Sequence, residues 1–234
     1  MYCLEFAGEA ADEPVAALEA ERAAASAVER VAPGVGTARG LRVDRAPTLA
    51  YTRRASELLA RTVADVGSAV AALEAASIDR AGSAAVRARN VRSTADASTA
   101  AAERELGSVL VDRGFAVDLD DPDHELRVVF AGDVCLLGWQ VAERAAAFGS
   151  RAPTDRPFFQ PGSMAPVDAR AYVNLAAGPA LPAATVLDPM CGTGRLPVEA
   201  GLVGARAVPS VARSKMARRT ADNLPALRPG LPAD

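Results

Sequence analysis

The stretch V-L-D-P-M-C-G-T-G, residues 186–194, decides how the C-terminal part of this chain folds and what it can bind. Its apolar start predicts a buried strand that ends at Asp188, and the glycines then predict a tight turn into a helix at residues 196–203. Glycines let the backbone approach a ligand closely, and the first N–H groups of a helix lack partners within the helix. A strand, a glycine turn and a helix N-terminus together indicate a site for a nucleotide-type cofactor.

A second motif, F-F-Q-P-G-S-M, occupies residues 158–164. Together the two motifs resemble those of the archaeal THUMP-containing tRNA (guanine-10-N2) methyltransferases, in which D-P-M-C-G-T-G is motif I of the S-adenosylmethionine (SAM) site. The resemblance runs from the start of the chain to about Leu224. It implies SAM as the cofactor, tRNA as the partner, and methylation at the exocyclic N2 of a guanosine of the position-10 type.

The resemblance assigns the cofactor contacts to residues of the glycine turn. These residues are Asp188, Pro189, Cys191, Gly192, Thr193 and Gly194. Their chemistry agrees with the assignment, because the turn backbone would line the methionine and ribose parts, and Asp188 could accept a hydrogen bond from an amine or a water. An ordinary strand–turn–helix corner is the alternative interpretation. We interpret Cys191 as a small residue that fits the turn rather than as a nucleophile.

Three features favour a second hypothesis, in which the chain is a catalytically inactive tRNA-binding remnant or fragment. Arg195 stands where the family has a small residue, and its long side chain is expected to crowd the start of the helix. The stretch A-V-P-S-V, residues 207–211, offers no acid for the ribose hydroxyls. The sequence also lacks the D/N-P-P-Y motif that would hold and stack a flipped base. The catalytic residues are therefore left unassigned.

Composition narrows the class of protein. The 234 residues can form one large or two small domains with a buried core. No apolar run reaches membrane-spanning length and the start does not resemble a signal peptide, so we expect a cytoplasmic protein without a membrane partner. As a separate expectation, a monomer is favoured. The three cysteines are scattered, which argues against a disulfide framework or a metal site. Lys215 is the only lysine among 26 basic residues, which suggests a GC-rich genome and, with the resemblance, a salt-loving archaeon.

A net charge of −3 is not the basic balance typical of nucleic-acid-binding proteins. Because salt weakens phosphate attraction, local arginine clusters are a better guide than the total charge. The candidate RNA-binding residues are Arg53, Arg54, Arg87, Arg89 and Arg92. Arginine forks suit phosphates, but a solvated strand face explains the same pattern, and both interpretations stay open.

The expected fold class is an α+β N-terminal region followed by a partial α/β Rossmann-like SAM methyltransferase domain. The predicted divisions are a ferredoxin-like piece at residues 1–50, a THUMP-like RNA-binding domain at 51–145, a linker at 146–156 and the partial methyltransferase domain at 157–234. The chain ends fewer than fifty residues after Val186, so we expect an incomplete parallel sheet that is less stable than the N-terminal region.

Periodicity and turn residues predict the elements of both regions. The predicted strands are residues 2–6, 85–91, 115–119, 125–130, 134–139 and 184–188. The predicted helices are residues 14–31, 55–62, 66–76, 99–113, 168–176 and 196–203. Glu19 is expected on the exposed face of its helix, and Phe130 and Trp139 are expected in the core.

Overall fold

A computed structural model of the chain describes residues 1–145, 148–152, 154 and 156–226, which form a mixed α/β fold. The strands are β1 (Tyr2–Phe6), β2 (Ala27–Ala32), β3 (Val35–Arg39), β4 (Thr52–Val63), β5 (Ser83–Asn90), β6 (Ala116–Val117), β7 (His124–Ala131), β8 (Val134–Glu143), β9 (Thr185–Asp188) and β10 (Arg206–Pro209). The helices are α1 (Glu13–Ala23), α2 (Val66–Ala75), α3 (Thr99–Asp112), α4 (Pro166–Ala177), α5 (Arg195–Leu202) and α6 (Ser214–Ala226).

Eight strands form one continuous sheet in the order β2-β3-β1-β4-β8-β7-β5-β6. The twelve-residue strand β4 is central, because it pairs with β1 on one side and β8 on the other. Helices α2 and α3 cover one face through a cluster that includes Leu73, Leu106, Phe130 and Trp139. The prediction that Phe130 and Trp139 belong to the core is therefore confirmed.

The C-terminal segment is smaller and packs on the N-terminal region through helices. Strands β9 and β10 pair in parallel as a separate two-stranded sheet. Helix α4 packs against both α5 and α1. Val173 of α4 joins Ala200 of α5 and Leu181 in the small core beneath β9. This packing fixes the glycine turn relative to the N-terminal sheet.

Two predicted helices are wrong in extent or type. Helix α1 ends at Ala23, and residues 27–32 pair with β3 around a turn at Gly34, which has φ +71°. Residues 55–62 lie in β4 rather than in a helix. Leu58 and Leu59 contact core clusters on opposite faces of the sheet, so this apolar pair fits a strand covered on both sides.

Glu19 is fully buried, contrary to the expectation that it is exposed. Its carboxylate accepts hydrogen bonds from the backbone N–H groups of Ala50 and Tyr51 at 2.7 and 2.9 Å, and from Nδ2 of Asn174 at 2.6 Å. These three donors replace hydrogen bonds from water that the carboxylate loses on burial, although burial still raises the pKa of Glu19. Glu19 thus ties α1 to α4.

The remaining predicted elements form with small shifts at their ends. Gly114, with φ +91°, follows α3, and Gly132 turns β7 into β8. Strands on both sides of residue 50 share one sheet, and the division there stays a prediction. The predicted linker is described only in part, because residues 146, 147, 153 and 155 lie outside the described residues.

Candidate cofactor site

The strand–turn–helix unit forms as the sequence predicts. Strand β9 ends at Asp188, and α5 begins at Arg195 directly after Gly194. Gly192 and Gly194 have φ values of +51° and +82°, which residues with a Cβ atom rarely adopt. The N–H of Gly194 donates to the carbonyl of Cys191 at 2.7 Å and closes the turn. The turn therefore presents its backbone at the carboxyl end of the parallel strands.

The two sequence motifs line one pocket of about 330 Å³. The lining residues are Gln160, Pro161, Gly162, Ser163, Met164, Asp188, Met190, Cys191, Gly192, Thr193, Arg195 and Leu196. Asp188 is 8% exposed and accepts a hydrogen bond from the N–H of Met190 at 3.1 Å. Burial raises the pKa of Asp188, so its charged form would gain from a cationic partner in the pocket.

Thr193 connects the two motifs. Its hydroxyl lies 3.2 Å from the hydroxyl of Ser163 and accepts a hydrogen bond from Nη1 of Arg156 at 2.9 Å. Arg156 is 6% exposed, and burial lowers its pKa. Ser163 belongs to the second motif but is not among the predicted cofactor contacts, and Arg156 is not among them either.

Helix α6 clamps the turn from the other side. The hydroxyl of Thr220 donates to the carbonyl of Gly192. Nδ2 of Asn223 donates to the carbonyls of Thr193 at 3.0 Å and Phe158 at 2.9 Å, and its Oδ1 accepts from the N–H of Phe158 at 2.9 Å. Neither side chain is predicted from the sequence. Their only signal is a three-residue spacing, which places them on one face of a helix.

Arg195 does not obstruct the start of α5, contrary to expectation. Its side chain is 3% exposed and donates through Nη2 to the carbonyl of Arg151 at 2.7 Å. Its Nη1 lies 3.8 Å from the fully buried carboxylate of Glu199, one turn along the helix. The same carboxylate binds Arg151 at 3.1 Å and Arg170 of α4 at 2.8 Å. The long side chain therefore lies within a buried ion-pair network.

Cys191 is buried at the base of the turn. Burial raises the pKa of its thiol, which keeps the thiol protonated and weakens it as a nucleophile. This environment favours the interpretation of Cys191 as a packing residue.

A second pocket, of about 310 Å³, lies beside the turn where β10 ends. Its lining residues are Pro189, Met190, Gly192, Val211, Ala212, Arg213 and Met216. None of these is acidic, in line with the acid-free sequence of residues 207–211. Hydroxyl groups bound here would have to use backbone acceptors of the described residues.

Most of the candidate RNA-binding arginines are neutralised. Ion pairs join Arg54 to Glu143 at 2.6 Å, Arg87 to Glu125 at 3.8 Å, Arg89 to Glu5 at 3.0 Å and Arg92 to Glu13. Among the described residues, Arg53 alone of the five candidates has no carboxylate within 4 Å. The five arginines therefore do not form one free basic surface.

The site and comparisons with known families agree on the class of protein. Residues 153–228 match the family described as RMKL-like, methyltransferase domain. The C-terminal segment is thus part of a methyltransferase domain.

More particularly, the chain is homologous to archaeal tRNA (guanine(10)-N2)-dimethyltransferases. It is 36% identical over 179 residues to that of Methanothermobacter thermautotrophicus, covering 75% of this chain and 52% of the relative. It is 36% identical over 124 residues to that of Methanocaldococcus jannaschii, covering 52% of this chain and 35% of the relative. The chain thus spans about half the length of the first relative and about a third of the second.

Solved structures share the fold. TrmN from Thermus thermophilus superposes with a TM-score of 0.57 at 24% identity, covering 96% of this chain and 69% of that one. A possible methylase from Clostridium difficile 630 gives 0.50 at 13% identity, covering 87% of this chain and 55% of that one. The chain therefore has a mixed α/β fold like that of TrmN. In this chain the methyltransferase domain covers only a short C-terminal segment.

Proposed function

We propose that this chain binds SAM and tRNA for methylation of a guanosine at the exocyclic N2, at a site of the position-10 type. The observation that carries the proposal is the single pocket that F-F-Q-P-G-S-M and D-P-M-C-G-T-G line together. The homology to archaeal tRNA (guanine(10)-N2)-dimethyltransferases supports the choice of cofactor and of substrate. Because the target is tRNA, we also propose a cytoplasmic location. Among the described residues, none of the helices has the length and hydropathy of a membrane span.

The residues present fit the amino-acid end of SAM. The carboxylate of Asp188 would accept from the ammonium group, and the turn at Cys191, Gly192 and Thr193 would supply backbone groups to the rest of the methionine part. The volume of about 330 Å³ lies within the usual range for small-molecule pockets. The nucleoside end would lie towards Pro189 and the second pocket. Bound SAM would supply an electrophilic methyl group.

A second function is favoured by a separate observation. Guanine N2 becomes nucleophilic when acceptors bind its hydrogens, and the sequence contains no D/N-P-P-Y motif that would provide them. The alternative is therefore a chain that binds tRNA, through its N-terminal THUMP-like region, without methylating it. Under this alternative, Asp188 and the glycine turn are remnants of a cofactor site.

Two measurements on the purified chain separate these functions. Calorimetric titration with SAM tests the pocket, and mass spectrometry of nucleosides after incubation with SAM and unmodified tRNA tests for N2-methylguanosine. We expect saturable SAM binding that is weakened in Asp188→Ala and retained in Asp222→Ala, an exposed carboxylate on α6. Methylated product supports the enzyme, whereas tRNA binding without product supports the alternative. Absence of SAM binding overturns the cofactor assignment.

A further inference from the structure

We propose that the exposed face of α6 is a phosphate-binding surface for RNA beside the cofactor pocket. This proposal rests on the proposed function in so far as tRNA is the ligand. One face of α6 is buried and holds the glycine turn through Thr220 and Asn223. The exposed side of the helix carries Lys215, Arg218 and Arg219, whose three- and four-residue spacings place them together. We call these three residues the α6 basic face.

The segment at residues 206–223, which includes most of α6, differs in net charge from the whole chain. The chain carries a net charge of −3, but residues 206–223 contain five basic residues and one acidic residue, Asp222. None of the described carboxylates lies within 4 Å of a charged nitrogen of Lys215, Arg218 or Arg219. The basic face is therefore unneutralised, unlike four of the five candidate arginines of the N-terminal region.

The α6 basic face also lies beside the site where chemistry would occur. Arg213, which precedes α6, lines the second pocket together with Met216 of the helix. Met190 is 85% exposed and lines both pockets. A backbone phosphate held on α6 would thus bring its nucleotide close to the cofactor pocket.

One residue of the face is held in place. The guanidinium of Arg219 lies 4.9 Å from the centre of the Phe158 ring, which begins the F-F-Q-P-G-S-M motif. Stacking of this kind orients an arginine while leaving its N–H groups free to bind oxygen. Arginine and lysine donors with no competing carboxylate match the chemistry of RNA phosphates.

The test is tRNA binding by the full chain at several KCl concentrations. The triple variant Lys215→Gln, Arg218→Gln and Arg219→Gln should weaken binding about ten-fold or more and reduce the slope of log K against log salt by about 3. The charge-matched control carries Arg22→Gln, Arg30→Gln and Arg39→Gln, three exposed residues of α1, β2 and β3. The control should bind tRNA within about three-fold of the unmodified chain, since scattered charges add little.

A second variant tests whether the loss of tRNA binding comes from lost charge or from damage to the pocket. Lys215→Gln with Arg218→Gln leaves the Arg219–Phe158 contact intact and should still reduce the salt slope by about 2. SAM affinity, measured by calorimetry, should be unchanged in this double variant.

The outcomes separate this surface from the proposed function. Unchanged tRNA binding by the triple variant overturns the surface alone, as does an equal loss in the control. If tRNA binding depends on α6 but no methylated product forms, the surface stands and the enzymatic function fails. If the unmodified chain binds SAM but no tRNA, both are overturned, and an acidic protein partner becomes the next candidate for α6.

Discussion

At the scale of single residues, Asn223 holds both motifs of the candidate site. It satisfies two carbonyls and one N–H, and its side chain is fully buried. Replacing Asn223 by Ala would leave these groups unpaired, at a cost of about 1–3 kcal/mol for each group that water cannot reach. We expect Asn223→Ala to lower the thermal midpoint and to weaken SAM binding about ten-fold or more. Asp222→Ala, on the exposed side of the helix, is the control, and equal SAM affinity in both variants would contradict the role of Asn223.

The charge of Asp188 gives a prediction about pH. Because burial raises the pKa of Asp188, its carboxylate is protonated at a higher pH than an ordinary aspartate, whose pKa is about 3.9. If the carboxylate accepts from the ammonium of SAM, SAM affinity should fall as pH decreases towards this raised pKa. Asp188→Asn should bind about ten-fold more weakly at neutral pH and lose this dependence, as calorimetry at several pH values would show. Parallel pH profiles for both proteins would assign the dependence to another group.

At the scale of elements, strands β4 and β8 approach unusually closely at Gly138. A Cβ added there would lie 2.5 Å from the carbonyl oxygen of Glu57, next to a register shift between the strands. Gly138→Ala should therefore lower the free energy of unfolding by about 1–3 kcal/mol, measured by urea denaturation. Gly107 in α3 is the matched control, because a Cβ there meets nothing within 4 Å. Gly107→Ala should stabilise the protein by about 0.5–1 kcal/mol, and the same sign in both variants would refute the steric argument.

At the scale of the whole molecule, a buried ion pair joins strands β1 and β7, which are distant in sequence. Glu5 accepts from Nε of Arg127 at 2.9 Å and from Nη1 of Arg89 at 3.0 Å. Burial alone would raise the pKa of Glu5, but the two arginines outweigh it and the pKa is lowered. Glu5→Gln would leave the buried Arg127 with Glu125, at 3.3 Å, as its remaining carboxylate partner, so we expect a loss of about 3 kcal/mol in the free energy of unfolding at neutral pH.

The lowered pKa sets how this loss depends on pH. A carboxylate whose pKa is lower in the folded state stabilises the fold above its unfolded pKa of about 4.3, and this contribution disappears as pH falls through the lower, folded value. The difference between the unmodified chain and Glu5→Gln should therefore shrink in acid, as denaturation curves at several pH values would show. Glu143→Gln removes the exposed Arg54 pair and should cost at most about 1 kcal/mol. A pH-independent deficit in Glu5→Gln would point to packing instead.

The two regions should also differ in local stability. Within the described part of the chain the C-terminal sheet consists of β9 and β10, and Leu187 and Val208 on these strands are 64% and 38% exposed. We expect amide hydrogens of residues 185–209 to exchange faster than those of β4, β7 and β8, because fewer buried contacts must break to expose them. Hydrogen exchange followed by mass spectrometry measures this difference, and uniform protection along the chain would contradict it.

The limits of sequence reasoning appear at particular residues. The apolar residues 55–62 fit a helix or a strand covered on both faces, and only the pairing of β4 with β1 and β8 decides between them. The helical pattern predicts an exposed Glu19, but hydrogen-bond donors from Ala50, Tyr51 and Asn174 allow its burial. Thr220 and Asn223 could not be assigned, because their partners belong to other segments of the chain.

The sequence by itself determined the strand–turn–helix of the candidate site, because its causes are local: an apolar strand, glycines that adopt positive φ, and a helix that begins at once. Only the tertiary structure decided which basic residues have carboxylate partners. Arg127 and Glu5, 122 residues apart, pair across the sheet, while Lys215 and Arg218 meet no described carboxylate. Charge pairing depends on distances in space, and the order of residues along a chain does not contain those distances.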